Sequence, residues 1–275
     1  MPELSLPDGA HIHFEVRGDE GPALVLATYW SWIPGVYDEL LEDLAADHRV
    51  VVYHLRGTGQ SSREGPYDME TDRSDLEAVV DQVGGPTVLL ATADSSNRSV
   101  ELAARRPDLV SAVICLGAAP FARAQFEGDE GMVTSDTVVS AFIEMLRRSF
   151  RGGMRTFMEA TNPQMDEEQL RERVATQAEF CTPAAAIDRL TEWIDDDPRE
   201  ASRAVGDRLW VFGASSVAGP WMPPAEQVKK MTAETLPEAR VEWIEPGPIS
   251  APRVTAEAVR RVTEPLRSGA AEERK

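Results

Sequence analysis

The sequence predicts an α/β protein: a mostly parallel, twisted sheet flanked by helices, with a helical insert that forms a lid. Three observations predict it. Short β-branched and apolar runs alternate with amphipathic segments, the pattern of βαβ units on a parallel sheet. That alternation breaks between about 123 and 205, where only helical periodicity is found. The length of 275 residues suits one large domain carrying such an insert.

The strand segments, in order, are 11–17, 23–28, 49–54, 86–92, 110–116, 208–213 and 240–245. Each is a short run such as Ala23-Leu24-Val25-Leu26 or Val110-Ser111-Ala112-Val113-Ile114. Between them lie helix segments 37–47, 70–83, 97–106, 224–235 and 252–266, each with apolar residues at three- and four-residue steps. The insert divides into helices 135–150, 166–180 and 183–195, separated by Gly152-Gly153 and Asn162-Pro163. Asp166 and Thr182 read as N-caps, the latter followed by Pro183 at the first helical position. Met145, Phe150, Phe157 and Met158 have the spacing of the lid's packing face. The domains are therefore an α/β core of residues 1–122 and 206–267, a lid of 123–205, and a disordered tail of 268–275. A lid there covers the C-terminal ends of the strands, where open α/β sheets bind ligands.

With 28 basic and 47 acidic residues the formal charge is −19, which repels nucleic acid and anionic membranes as partners. No apolar run is long enough to span a bilayer, and the start Met1-Pro2-Glu3-Leu4 lacks the features of a signal peptide. The expected location is cytoplasmic. Cys115 and Cys181 lie far apart in no metal-like spacing, and Cys115 after Val113-Ile114 reads as a buried thiol. A homodimer is left open.

Read in order, these pieces resemble the α/β-hydrolase family, in its lid-containing branch of esterases and epoxide hydrolases, over nearly the whole chain outside the lid. Leu6-Pro7-Asp8-Gly9 with Ile12-His13-Phe14-Glu15 resembles the family's first hairpin. The run from Val51 to Ser61, with His54-Leu55-Arg56-Gly57-Thr58-Gly59-Gln60-Ser61, resembles the "D-x-R-G-x-G-x-S" segment after a core strand. Val88 to Val110 matches the nucleophile strand, its elbow and the following helix without a gap, and Pro223-Pro224 with 245–266 matches the last strand-helix unit. The family sets its nucleophile on a strained small-x-Ser-x-small turn. Here that turn reads Ala91-Thr92-Ala93-Asp94-Ser95, with Ala93 at the nucleophile position.

The triad order implied by the resemblance is nucleophile, acid, histidine. The four histidines are His11, His13, His48 and His54, and none follows residue 54. The family's "G-H" before the last helix reads Gly247-Pro248, and the acid position falls near Ser216, with no carboxylate between Gly213 and Glu226. The oxyanion strand reads Thr28-Tyr29 in place of "H-G", followed by Trp30-Ser31-Trp32. The resemblance thus implies the fold together with a degenerate triad.

The site residues expected to remain are Asp94, His54 and Tyr29 as acids or bases. Thr28, Trp30, Trp32, Thr92, Ala93, Ser95, Ser96, Ser216, Trp221 and Pro248 would line a ligand pocket. Each has a plain alternative. Asp94 or Ser95 caps a helix beginning near Asn97, His54 bonds loop backbone, and the tryptophans are core. His11-x-His13 shares a strand face but lacks accompanying ligand spacing, so no metal and no cofactor is expected. The leading functional reading is a non-hydrolytic enzyme (cyclisation, elimination, isomerisation or decarboxylation) acting on a small aromatic or polyketide-like molecule. The Ala- and Arg-rich composition hints at secondary metabolism. A non-catalytic small-molecule binding protein is the second reading, and a hydrolase rearranged around Asp94 or Ser95 the third.

Overall fold

A computed structural model describes residues 3–117, 119–120, 136–214 and 225–272. Among them, eight strands form one sheet in the order β1-β2-β4-β3-β5-β6-β7-β8. Strands β1 (Glu3–Ser5) and β2 (His11–Arg17) form an antiparallel hairpin, and β2 pairs antiparallel with β4 (Arg49–Tyr53). Every other pairing is parallel: β4 with β3 (Ala23–Ala27), β3 with β5 (Thr87–Ala91), then β6 (Val110–Gly117), β7 (Leu209–Gly213) and β8 (Arg240–Trp243). All five residues of both β3 and β5 are buried, as expected of parallel strands covered on both faces.

Helices α1 (Asp38–Ala45), α2 (Met69–Val83) and α3 (Asp94–Arg105) follow β3, β4 and β5. Leu76, Val79 and Val80 of α2 and Val100 and Leu102 of α3 pack on one face of the sheet with Val25, Val51 and Leu89. Leu40, Leu41 and Leu44 of α1 pack on the other with Val259 and Val262 of α10 (Pro252–Glu272). The helix α9 (Ala225–Thr235) lies between β7 and β8 in the chain. The expected α/β sheet with flanking helices is observed. α10 continues to Glu272, through most of the segment expected to be disordered.

The insert holds more helix than its punctuation implies: α4 (Asp136–Arg148), α5 (Phe150–Thr161), α6 (Glu167–Phe180), α7 (Pro183–Asp195) and α8 (Arg199–Val205). Gly152-Gly153 does not break the chain but sits in the first turn of α5. Ser149 caps that helix by accepting the Gly152 N–H, and a Cβ at Gly153 would stand 2.7 Å from the Leu146 side chain. Gly153 therefore serves close packing of α4 on α5, while Gly152 leaves room for the capping Ser149 side chain. Asn162 does end α5, Asp166 completes a capping box with Gln169, and Thr182 caps α7.

Lid and core meet at the turn after β4. Gly57 has φ +76°, and a Cβ there would lie 2.4 Å from that of Ala185 on α7. Thr58 forms an isolated antiparallel bridge with Cys181. The lid's own cluster of Phe142, Leu146, Met154, Met158, Leu170, Val174 and Ile187 closes on Trp30, just beyond the C-terminal end of β3.

Candidate functional site

The turn from β5 to α3 is strained at one residue. Ala93 has φ +50° and ψ −134°, and among the described residues it is the only non-glycine with positive φ. Such a conformation costs roughly 1–3 kcal/mol and persists where its surroundings enforce it. They do so through Ser95, whose Oγ donates to the Thr92 carbonyl (2.7 Å) and accepts the Thr92 N–H (2.9 Å). Thr92 Oγ1 adds a bond to the Leu116 carbonyl at 2.8 Å. The strained position is therefore Ala93, not Asp94 or Ser95. Ser95 is fully buried and spends its hydroxyl within the turn, while the buried Ser96 hydroxyl lies beside the Cys115 thiol.

Helix α3 begins at Asp94, three residues earlier than the sequence pattern suggests, and its N-cap position is Ala93 with no side-chain cap bond. Neither Asp94 nor Ser95 caps a helix starting at Asn97. The Asp94 carboxylate reaches across to the loop after β3, where Oδ1 accepts the Trp30 backbone N–H at 3.0 Å. Its other oxygen pairs with Arg98, one turn along α3. Arg98 also donates to the Thr28 carbonyl and reaches Asp72 of α2 at 3.4 Å. Asp72 in turn holds Arg189 of α7 in a two-bond pair of 2.6 and 2.8 Å.

All four side chains are fully buried. Two carboxylates and two guanidiniums balance, the condition under which buried charge is tolerated. Burial opposes the charge on Arg98, yet Asp94 and Asp72 outweigh it and hold its pKa above the ordinary arginine value. This chain of contacts runs from the elbow to the lid, and Arg98, Asp72 and Arg189 were missed from sequence. The signal was present: Asp94 and Arg98 stand at i,i+4, and Asp72 sits in a buried stripe with Met69, Leu76 and Val79.

The other expected residues separate into groups. Tyr29, Thr92 and Ala93 are half-buried and so keep some access to solvent. The Tyr29 ring meets that of Tyr37 edge-on at 6.5 Å, and burial pushes the Tyr29 phenol up to about 12. Tyr37, absent from the sequence reading, is buried and raised likewise, with its hydroxyl beside those of Tyr29 and Thr92. Thr28 is buried and spends its hydroxyl on the Tyr53 carbonyl at 3.0 Å. Trp30 and Trp32 are buried: Trp30 packs on Phe142 and Phe157 of the lid, Trp32 on His54 and Phe180. Pro248 is buried in the loop before α10, its carbonyl accepting the Thr255 hydroxyl. Ser216 and Trp221 lie outside the described residues.

His54 stands apart from this group, at the end of β4. Its Nδ1 accepts the Gln60 N–H at 3.1 Å, and a Cβ at Gly59, where φ is +50°, would collide with the ring. Desolvation, aided by the neighbouring His13, pushes its pKa down to about 4. His13, Glu15 and His54 bring one ligand atom each within 4.8 Å of the others. The neutral His54 ring that accepts at Nδ1 carries its proton on Nε2, so it offers a donor there rather than a metal ligand. His11 is instead tied to Gln60 and Ser62.

An attacking group at Ala93 is a methyl. The Trp30 amide, in the loop where the resemblance puts an oxyanion donor, already binds a carboxylate. None of the acid–base candidates is free and near neutral: Asp94 is ion-paired, His54 titrates near 4 and Tyr29 near 12.

A family model described as the alpha/beta hydrolase fold matches residues 24–203. Among solved structures, an esterase from Exiguobacterium antarcticum superposes with a TM-score of 0.77 at 17% identity, covering 95% of this chain and 98% of its own. A bromoperoxidase from Bacillus anthracis gives 0.76 at 18% identity, with 93% and 96% covered. An enol-lactonase from Burkholderia xenovorans gives 0.71 at 18%, with 95% and 99% covered. At such identities the structural likeness speaks for the fold alone.

Proposed function

The chain belongs to the α/β-hydrolase fold family, and from that premise we propose that it is a non-hydrolytic member that binds a small molecule over Ala93, beneath the lid. The observation that carries this reading is the bond from the Trp30 N–H to the Asp94 carboxylate. A hydrolase of this fold leaves that amide free to meet the charge developing on a carbonyl oxygen. Here an anion of the protein's own occupies it, held by Arg98. An oxyanion brought to the same place would meet a carboxylate instead of a donor.

The absence of any histidine after His54 and the proline at 248 support the same conclusion, because no base stands ready to activate a nucleophile. Of the two non-hydrolytic readings, binding is favoured over turnover, since Asp94, His54 and Tyr29 are each committed or titrate far from neutrality. The charge of −19 favours a small molecule over nucleic acid or an anionic membrane as partner.

The test is hydrolysis itself. The purified protein should turn over para-nitrophenyl acetate no faster than a comparable non-enzyme protein. A fluorophosphonate probe should label neither Ser95 nor Ser96. Stoichiometric labelling of Ser95, with ester turnover lost on Ser95→Ala, overturns the proposal in favour of a rearranged hydrolase.

A further inference from the structure

We propose that helix α6 of the lid carries an anion subsite, in which Arg173 and Gln177, with the Tyr29 hydroxyl, hold the carboxylate of a small organic acid. This rests on the small-molecule reading above and names the chemical class of the ligand. Arg173, Gln177 and Phe180 stand at i, i+4 and i+7 of α6, and so form one stripe on the helix.

Both ends of that stripe are located. The Phe180 ring meets that of Trp32 at 5.3 Å and that of His54 at 5.0 Å. At the other end the Arg173 charge acts on the Tyr29 phenol. Tyr29 and Trp32 belong to one turn, closed by the Trp32 N–H on the Tyr29 carbonyl at 2.9 Å. Gln177, less than one turn before Phe180, shares the helix face that meets Trp32.

What Gln177 does there is unexplained by the fold. Its side chain is fully buried, yet neither Oε1 nor Nε2 has a hydrogen-bond partner. Buried amides are nearly always satisfied, and an exception calls for an absent partner such as a ligand or water. Arg173 is half-buried and forms no ion pair with a carboxylate of the described residues, although the chain carries 47 acidic residues. A guanidinium presents two parallel donors that match a carboxylate. The Gln177 amide adds a third donor, and the Tyr29 phenol, which stays protonated, a fourth. The aromatic rings of Trp32 and Phe180 beside them suit an acid whose carboxylate is joined to a ring.

Benzoate and its neutral isostere benzamide are the probes, followed by quenching of tryptophan fluorescence in the full chain. Benzoate should bind saturably and benzamide about tenfold or more weaker. Arg173→Met should weaken benzoate ~10- to 100-fold, the loss of a charge-assisted hydrogen-bonded pair, while leaving benzamide and the melting temperature unchanged. Gln177→Leu should weaken benzoate several-fold and benzamide by no more than that, since the amide carbonyl can also accept from Gln177. Equal affinity for acid and amide, no loss in Arg173→Met, or no saturation by benzoate overturns the subsite and leaves the non-hydrolytic reading standing. Ester turnover with fluorophosphonate labelling of Ser95, alongside an Arg173-dependent preference for benzoate, overturns that reading and leaves the subsite.

Discussion

Asp94 separates two accounts of the elbow, because a cap and an ion-pair partner make different demands on the same carboxylate. A capping aspartate is replaced by asparagine almost without cost. The observed carboxylate instead joins the Trp30 amide to Arg98, and both are buried. Asp94→Asn keeps an acceptor for Trp30 but leaves Arg98 with the neutral Thr28 carbonyl and one carboxylate, Asp72, at 3.4 Å. Removing one partner of a buried pair costs roughly 3–5 kcal/mol. Urea unfolding should show Asp94→Asn destabilised by about that amount; an unchanged midpoint would return Asp94 to the role of a cap.

His54 gives the second residue-scale prediction. Its folded pKa of about 4 lies below the unfolded value of about 6.5, so between them the unfolded chain binds the extra proton. Its contribution is complete above pH 6.5 and is lost as pH falls toward 4, to a limit of about 3 kcal/mol. His54→Asn keeps an acceptor near Nδ1 for the Gln60 amide and cannot titrate. The difference in stability between the two proteins should therefore shrink or reverse on acidification from pH 7 to pH 4.5. A difference that stays constant over that range would mean that His54 titrates alike in the folded and unfolded protein.

Elements were legible in proportion to how locally they are specified. The buried runs of β3 and β5, the Asp166 capping box and the Thr182-Pro183 start of α7 are written in neighbouring residues, and each stands where expected. Two misreadings have a common physical cause. Gly152-Gly153 looks like a break, but Gly153 admits Leu146 from another helix, a requirement that no local pattern records. The sequence pattern starts α3 near Asn97, with the polar Asp94 or Ser95 as its cap. In the fold Asp94, Ser95 and Ser96 are all buried, and Asp94 and Ser95 are satisfied by Trp30, Arg98 and Thr92, which come from the loop after β3, the next turn of α3 and the end of β5. Burial of polar side chains depends on partners distant in sequence, so periodicity does not reveal it. For the same reason Arg98, Asp72 and Arg189 escaped notice, though each lies on the inward stripe of its helix.

At the scale of the whole molecule, the eight-stranded sheet carries the strained turn at Ala93 after β5, with the Asp94–Arg98 pair buried beside it. The two possibilities, a vacated site and a rebuilt one, differ in what restoration would achieve. If the site were only vacated, Ala93→Ser, Ser216→Asp and Pro248→His together would supply nucleophile, acid and base on an intact scaffold. The Asp94 carboxylate on the Trp30 amide predicts otherwise, for the triple variant would still lack a donor whose loss costs about 10²–10³ in kcat. The remedy follows from the charge balance. Asp94→Leu with Arg98→Met removes one anion and one cation together, leaving Asp72 paired with Arg189, and exchanging a buried pair for apolar groups is often neutral for stability. The Trp30 N–H is then free. The triple variant should remain at the background rate with para-nitrophenyl acetate, and adding the paired change should raise hydrolysis about 10²-fold above it. Esterase activity in the triple variant alone would mean that Asp94 yields the amide when an oxyanion forms, and that the site was vacated rather than rebuilt.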